Sequence, residues 1–255
     1  LNNPTTIALT ATATTDVQND IALQLGLKAS EMTIWHAGVE RPNLHLGVSS
    51  VFGEKDKIEL ILELIKNSRG SKIIYFSLIK TLDRFSDLLL GKKTKHMLYH
   101  GKLSSDKRRK VQNAFMSGAD TLVLATNAFG LGIDKRDIGL IIHAEVPGSL
   151  ESYIQEIGRA GRDSKPANCE LLYDQDDLLI QMEFVEWSNP ETDYLEKVLS
   201  VLLEKNEQVN AMGIEFLREE LVWKNRMDNR LETALNLLDR FSVTEGSLMK
   251  HNLSV

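Results

Sequence analysis

Between Leu44 and Tyr173 the chain alternates short, β-branched apolar runs with longer stretches whose apolar residues recur at helical spacing. Such alternation folds into a parallel sheet, because each strand must be reached through a crossover helix. The expected strands are Leu44 to Ser50, Lys72 to Phe76, His96 to Tyr99, Thr121 to Ala125, Gly139 to Ala144 and Cys169 to Tyr173. The expected helices are Lys55 to Asn67, Ile79 to Leu90, Ser104 to Met116 and Leu150 to Gly158. In the first of these Ile58, Ile61, Leu62 and Ile65 share a face, and Gly70 stops the chain beyond it. Right-handed crossovers put helices on both faces of the sheet, and ligands of such α/β folds gather at the carboxyl ends of the strands. With 255 residues, 42% of them hydrophobic, there is room for one α/β domain and a smaller one.

Those strand ends carry the chemistry. The run Thr121 to Ala125 breaks into Thr126-Asn127-Ala128-Phe129-Gly130-Leu131-Gly132-Ile133-Asp134. Two glycines bracketing one Leu let the backbone approach a ligand, and the Asp134 carboxylate can accept a ribose hydroxyl. The helix beginning at Leu150 ends in Gln155-Glu156-Ile157-Gly158-Arg159-Ala160-Gly161-Arg162-Asp163. Two guanidiniums three residues apart, cleared by small neighbours, suit a phosphate that gains charge at a transition state. At Tyr99-His100-Gly101-Lys102-Leu103-Ser104 a strand stops, a glycine turns the chain and Ser104 can cap the next helix. His100 there is a candidate for a nucleotide or a DNA backbone, and Ser77, just past Phe76, for a phosphate. The net charge of −6 argues against a general polyanion binder. Eight basic residues nevertheless lie between Lys92 and Lys110 (Lys92, Lys93, Lys95, Lys102, Lys107, Arg108, Arg109, Lys110) against one acid, Asp106, and any nucleic-acid path would run there.

The pattern AT-x-AFG-x-GIDK followed by Y-x-QE-x-GRAGRD resembles motifs V and VI of superfamily 2 helicases, most closely those of the RecQ family of DNA helicases. ALTATA, from Ala8 to Ala13, resembles motif III, and Arg41-Pro42-Asn43-Leu44 matches the RPNL that opens the next domain in that family. One departure is YHGKL at Tyr99 to Leu103, where RecQ proteins carry YHAGL. The resemblance implies a RecA-like domain that completes a site for ATP with Mg²⁺ together with an N-terminal RecA-like domain of the same protein. It implies Arg162 as the finger on the γ-phosphate, Arg159 assisting, Gln155 linking hydrolysis to motion, and Gly132 and Asp134 lining the ribose side. Single-stranded and partly duplex DNA would pass over Ser77, His100, Lys102 and Thr126, in the setting of DNA repair and recombination. No G-x-x-x-x-G-K-[ST] and no DEAH-like box occurs in the chain. It therefore reads as the C-terminal portion of a longer helicase and is not expected to hydrolyse ATP alone. Two alternatives stand: an RNA helicase of DEAD-box type, which has His-Arg where this chain has Gln155-Glu156, and a truncated paralogue that only binds DNA or a partner.

Residues 1–40 are expected to be the tail end of a first RecA-like domain, with Thr14 or Thr15 capping a helix supported by Val17, Ile21, Leu23 and Leu25 and stopped at Gly26. Residues 41–188 would be the second RecA-like domain. Residues 189–255 show three helical patterns, Asp193 to Lys205, Gly213 to Trp223 and Asp228 to Phe241, before a short strand and turn at Val243 to Ser247. That outline suggests a small, mostly helical, winged-helix-like domain. Its twelve acids against eight basic residues from Glu191 to Val255 do not mark it as a phosphate binder. The fold class is thus α/β, a RecA-like parallel sheet followed by this helical part. A single cysteine, Cys169, reads as a core residue and permits no disulfide and no four-cysteine zinc module, so no zinc is expected. Without a signal pattern or a membrane-length apolar run, the expected location is cytoplasmic, or associated with the nucleoid in a bacterium, with no membrane partner.

Overall fold

The computed structural model describes residues 6–10, 14–28, 31–35, 40–130, 132–221, 230–246, 248 and 252–255. The chain divides into two compact units, Leu1–Asp174 and Gln175–Val255. In the first, helix α1 (Thr15–Gln24) precedes β1 (Leu44–Ser50), α2 (Gly53–Asn67), β2 (Ser71–Tyr75), α3 (Ile79–Gly91) and β3 (Met97–Tyr99). Then come α4 (Ser105–Ser117), β4 (Leu122–Ala125), β5 (Ile138–His143), α5 (Leu150–Ile157) and β6 (Ala167–Tyr173). The six strands form one sheet in the order β1-β6-β5-β2-β4-β3, and every pair is parallel.

The central strands read as unbroken apolar runs because both faces of the sheet are covered. Ile74, Leu124, Leu140 and Ile142 point to one face, where they pack with Ile58 and Ile61 of α2 and Leu82, Phe85 and Leu89 of α3. Their sequence neighbours Ile73, Val123 and Ile141 point to the other face, against Phe115 of α4, Phe129, and Ile157 of α5. The alternation of side chains along a strand thus builds two cores from one run of sequence. The helix starts are set by side chains that accept otherwise unpaired amides: Thr14 from Val17, Ser104 from Lys107 and Ser149 from Ser152.

Register aligns the strand ends. Tyr75 pairs with Ala125 and with His143, and Ala125 with Tyr99, so β2, β3, β4 and β5 release their chains side by side at one edge. A register shift between Ser71 and Lys72, opposite Gly139, lets the loops before β2 and β5 meet closely. A Cβ on Gly139 would lie 2.1 Å from the Arg69 carbonyl oxygen, and one on Gly70 2.2 Å from that of Asp137.

Several boundaries differ from the sequence reading. Strand β3 begins at Met97, because the His96 ring is engaged with Ser86 Oγ at 2.8 Å and the Thr94 carbonyl at 2.9 Å. Strand β6 begins two residues early, where the Ala167 amide donates to Asn43. Helix α6 (Asp177–Ser188) had no expected counterpart, and it belongs to the second unit, which therefore starts before Asn189. Its Leu178, Leu179, Met182 and Val185 fall on one side and Ile180, Phe184 and Trp187 on the other, so no single apolar stripe marks it in sequence. The second unit continues with α7 (Thr192–Glu204), α8 (Asn206–Met212), α9 (Ile214–Glu220) and α10 (Arg230–Arg240) around Tyr194, Val198, Leu202, Val209, Leu217 and Leu238. Its tail forms one antiparallel bridge, Glu245 to Ser254, and Asn210 fixes Leu253 through two 2.8 Å hydrogen bonds. Trp223, Asp228 and Ser247 of the expected elements, and Ala11 to Ala13 of the ALTATA segment, lie outside the described residues.

The packing at Gly139 yields a stability prediction. Gly139→Ala forces a methyl into backbone and should lower unfolding free energy by about 1–3 kcal/mol, read as a lower urea midpoint with unchanged slope. An unchanged midpoint would mean that the two loops do not approach as described.

Candidate functional site

The site is built on the chain leaving α5. The α5 carbonyls of Ile154, Glu156 and Ile157 accept from the Gly158, Arg159 and Ala160 amides, and the turn beyond them needs donors of its own. Here Arg41 supplies the donors: one Nη lies 2.8 Å from the Ala160 oxygen and 3.1 Å from that of Gly161, and the other 3.4 Å from that of Gly158. Asn43 adds a bond of 2.8 Å to the Gly161 oxygen. From the opposite side the Gly161 and Asp163 amides donate to the carbonyls of Ile138 and Arg136, which lead into β5. Gly161 has φ +58°, and a Cβ there would come 2.4 Å from Asn43 Nδ2, so both conformation and space require glycine. Asp163 accepts from Arg69 and from the Lys165 amide. Burial acts to raise its pKa, but those hydrogen bonds and the positive charge of Arg69 outweigh it and hold the carboxyl below its ordinary range.

This fixed turn carries the two arginines in different states. Arg159 is half-buried, with Nη1 donating to the Gly130 oxygen at 2.5 Å. The guanidinium lies so close that a Cβ on Gly130 would be 2.5 Å from Arg159 Nη2. Gly130 therefore makes room for Arg159, whereas the sequence reading left that space to a ligand. Tyr75, at the end of β2, donates its hydroxyl to the Phe129 oxygen at 3.0 Å and also meets Arg159. Burial raises the phenol pKa above its ordinary value, which keeps it a neutral donor. Arg162 lies further out. Its Nη1 is 2.5 Å from Asp134 Oδ1, and the side chains are 35% and 78% exposed. The expected finger and the expected ribose acceptor are thus brought together as an ion pair. Gly132 is near this pair in sequence and has φ +80°, so conformation accounts for it; Leu131 lies outside the described residues.

The residues expected along a nucleic-acid path all sit at the aligned strand ends. Ser77 donates its amide to Glu145 at 2.6 Å and its hydroxyl to the Val146 oxygen at 3.3 Å. Thr126 is buried, and its amide donates to the Tyr99 oxygen. His100 is only 9% exposed, and its Nδ1 is buried without a hydrogen-bond partner. Lys102 and Gln155 are exposed. In the basic segment Arg109 is paired with Asp106 at 2.8 Å. Lys135, which ends the GIDK motif, is buried and holds the Gly118 oxygen at 2.7 Å, a structural task. Among the described residues no group of three or more His, Cys, Asp or Glu could hold a metal ion. Cys169 is fully buried, and burial pushes its thiol up to about 12.

Sequence reasoning missed Glu145, His143 and the bonding role of Arg41 and Asn43. Glu145 is almost fully buried, and it accepts from the Ser77 and Leu78 amides, anchoring the start of α3. The Arg41-Pro42-Asn43 signal was visible as a marker of the domain start. Its chemistry could have been sought from the turn carbonyls that need donors.

Residues 56–164 match the helicase conserved C-terminal domain. The ATP-dependent DNA helicase RecQ of Bacillus subtilis is 39% identical over 191 residues, covering 74% of this chain and 32% of that protein. The probable ATP-dependent DNA helicase RecS of the same organism is 33% identical over 210 residues, covering 82% of this chain and 42% of that protein. The chain thus spans about a third to two fifths of the length of these relatives. Among solved structures, Saccharomyces cerevisiae Dbp5 bound to RNA and ADP BeF3 superposes with a TM-score of 0.57 at 21% identity, over 69% of this chain and 47% of that one, a likeness of fold. The parallel sheet, the glycine-cleared arginine turn and the extent of shared sequence agree: the chain carries the helicase conserved C-terminal domain at residues 56–164 and is similar over about three quarters or more of its length to RecQ-type helicases.

Proposed function

We propose that this chain supplies the second motor domain of an ATP-dependent 3′-to-5′ DNA helicase, acting on single-stranded and partly duplex DNA in repair and recombination. The observation that carries the reading is the turn 158–163, which is held by Arg41 and Asn43 and by backbone bonds to the start of β5, and presents Arg162 paired with an exposed carboxylate. A guanidinium so placed can exchange Asp134 for phosphate oxygens at little desolvation cost. The residues present fit half of a nucleotide site. Arg162 and Arg159 offer donors to phosphate, and Asp134, once released, offers an acceptor to a ribose hydroxyl. Mg²⁺, which screens phosphate charge, would be held by an N-terminal RecA-like domain of the same protein. Gln155, on the exposed side of α5, would pass closure of the two domains to the DNA path. Ser77, His100, Lys102 and Thr126 would follow the strand backbone at the sheet edge. The second unit would act as a winged-helix-like module. The working location is the cytoplasm, on the nucleoid in a bacterium, and the described residues include no helix long and apolar enough to cross a membrane.

Two measurements test this. In the full-length protein, Arg162→Ala should reduce DNA-stimulated ATP hydrolysis by about 10³-fold or more. Activity within a few-fold of wild type would remove the finger assignment, and equal stimulation by RNA and DNA strands would favour the DEAD-box reading. For the nucleic-acid path, Lys102→Ala should weaken single-strand binding by a similar factor for every sequence and lower the salt slope by about one unit. Lys197→Ala, an exposed lysine of the second unit, is the control and should change neither. Equal loss from both substitutions would move the path away from the β3 end.

A further inference from the structure

Beneath the arginine turn lies a buried polar couple that the proposed mechanism does not use. His143 ends β5 and Glu156 is in the last turn of α5, with Nε2 and Oε2 2.7 Å apart and side chains 1% and 11% exposed. The Tyr75 ring stacks on the imidazole, with centroids 5.5 Å apart and planes 22° from parallel, and Tyr153 flanks it at 5.0 Å. Tyr75 in turn meets Arg159, whose Nη1 is on Gly130. His143 Nδ1 is buried and has no partner. An imidazole carrying its proton on Nε2 donates to Glu156 and leaves only a lone pair unpartnered, the cheaper orphan.

Burying such a pair is a poor way to gain stability, since well-packed apolar residues of similar volume do as well or better. What a hydrogen bond adds is direction. Glu156 lies three residues before Arg159, so a bond fixing the rotation of α5 against β5 also fixes where that guanidinium starts. We propose that His143 and Glu156 are positioning residues that set the pose of Arg159 for phosphate, through the rotation of α5 and the His143–Tyr75 stack. The inference rests on the reading of the arginine turn as a phosphate-facing element.

The test separates position from stability. In the full-length protein, the double change His143→Leu with Glu156→Leu should leave the urea midpoint unchanged or higher. The KM for ATP should stay within about three-fold while kcat for DNA-stimulated hydrolysis falls by about 10²-fold. A folded double variant with kcat within about three-fold of wild type overturns the proposal. Should that variant not fold, Glu156→Gln and Glu156→Met decide. The glutamine keeps an acceptor and should retain most of kcat, whereas the methionine should lose about 10²-fold; equal kcat in the two overturns the proposal. Arg159→Ala is measured beside them. If it leaves kcat intact, the reading of the arginine turn falls and the couple with it. If it lowers kcat while the folded double variant does not, the couple alone falls.

Discussion

The structure of the site depends on satisfying the carbonyls of the turn that follows α5. Arg41 and Asn43 reach them from the segment before β1, more than a hundred residues away in sequence, and the amides of Gly161 and Asp163 tie the same turn to the loop entering β5. Each bond contributes about a kcal/mol, somewhat more where the donor is charged. Together they hold the turn after α5 in one conformation. Rigidity matters because arginine side chains are long, and their useful reach is defined only when the backbone beneath them is fixed.

Within that frame the two guanidiniums differ in what holds them. Arg159 is committed to the Gly130 carbonyl, with Tyr75 in electrostatic reach of its guanidinium. Arg162 is opposed by Asp134 at the surface, where water screens the attraction and the pair contributes little to stability. Arg159 is therefore a donor held in place by the scaffold, with the rest of its guanidinium left for phosphate, and Arg162 is an exchangeable donor. The Gly130 and Gly132 pattern follows from the same division, the first glycine giving space to Arg159 and the second adopting a left-handed backbone.

Much of this was legible in the sequence, and the part that was not has a common cause. The central strands and the caps at Thr14 and Ser104 announced themselves because apolar period and capping chemistry are local. The paired arginines, Asp134 and the strand-end residues were legible for the same reason, each being a short motif. His143 and Glu145 were silent, because a single polar residue ending a buried strand acquires meaning only from the partner folding brings to it: Glu156 for one, the Ser77 and Leu78 amides for the other. Helix α6 was missed because its apolar residues fall on several sides and leave no stripe. The boundary between the two units shifted with it.

Arg162 is exchangeable, and Arg159 is held on the Gly130 carbonyl. A crystal structure of the full-length protein with ADP and a γ-phosphate mimic tests this most directly. The expected result is Arg162 off Asp134 and within hydrogen-bond distance of the mimic, with Arg159 still on the Gly130 carbonyl. A fully occupied nucleotide with Arg162 still paired to Asp134 would contradict it.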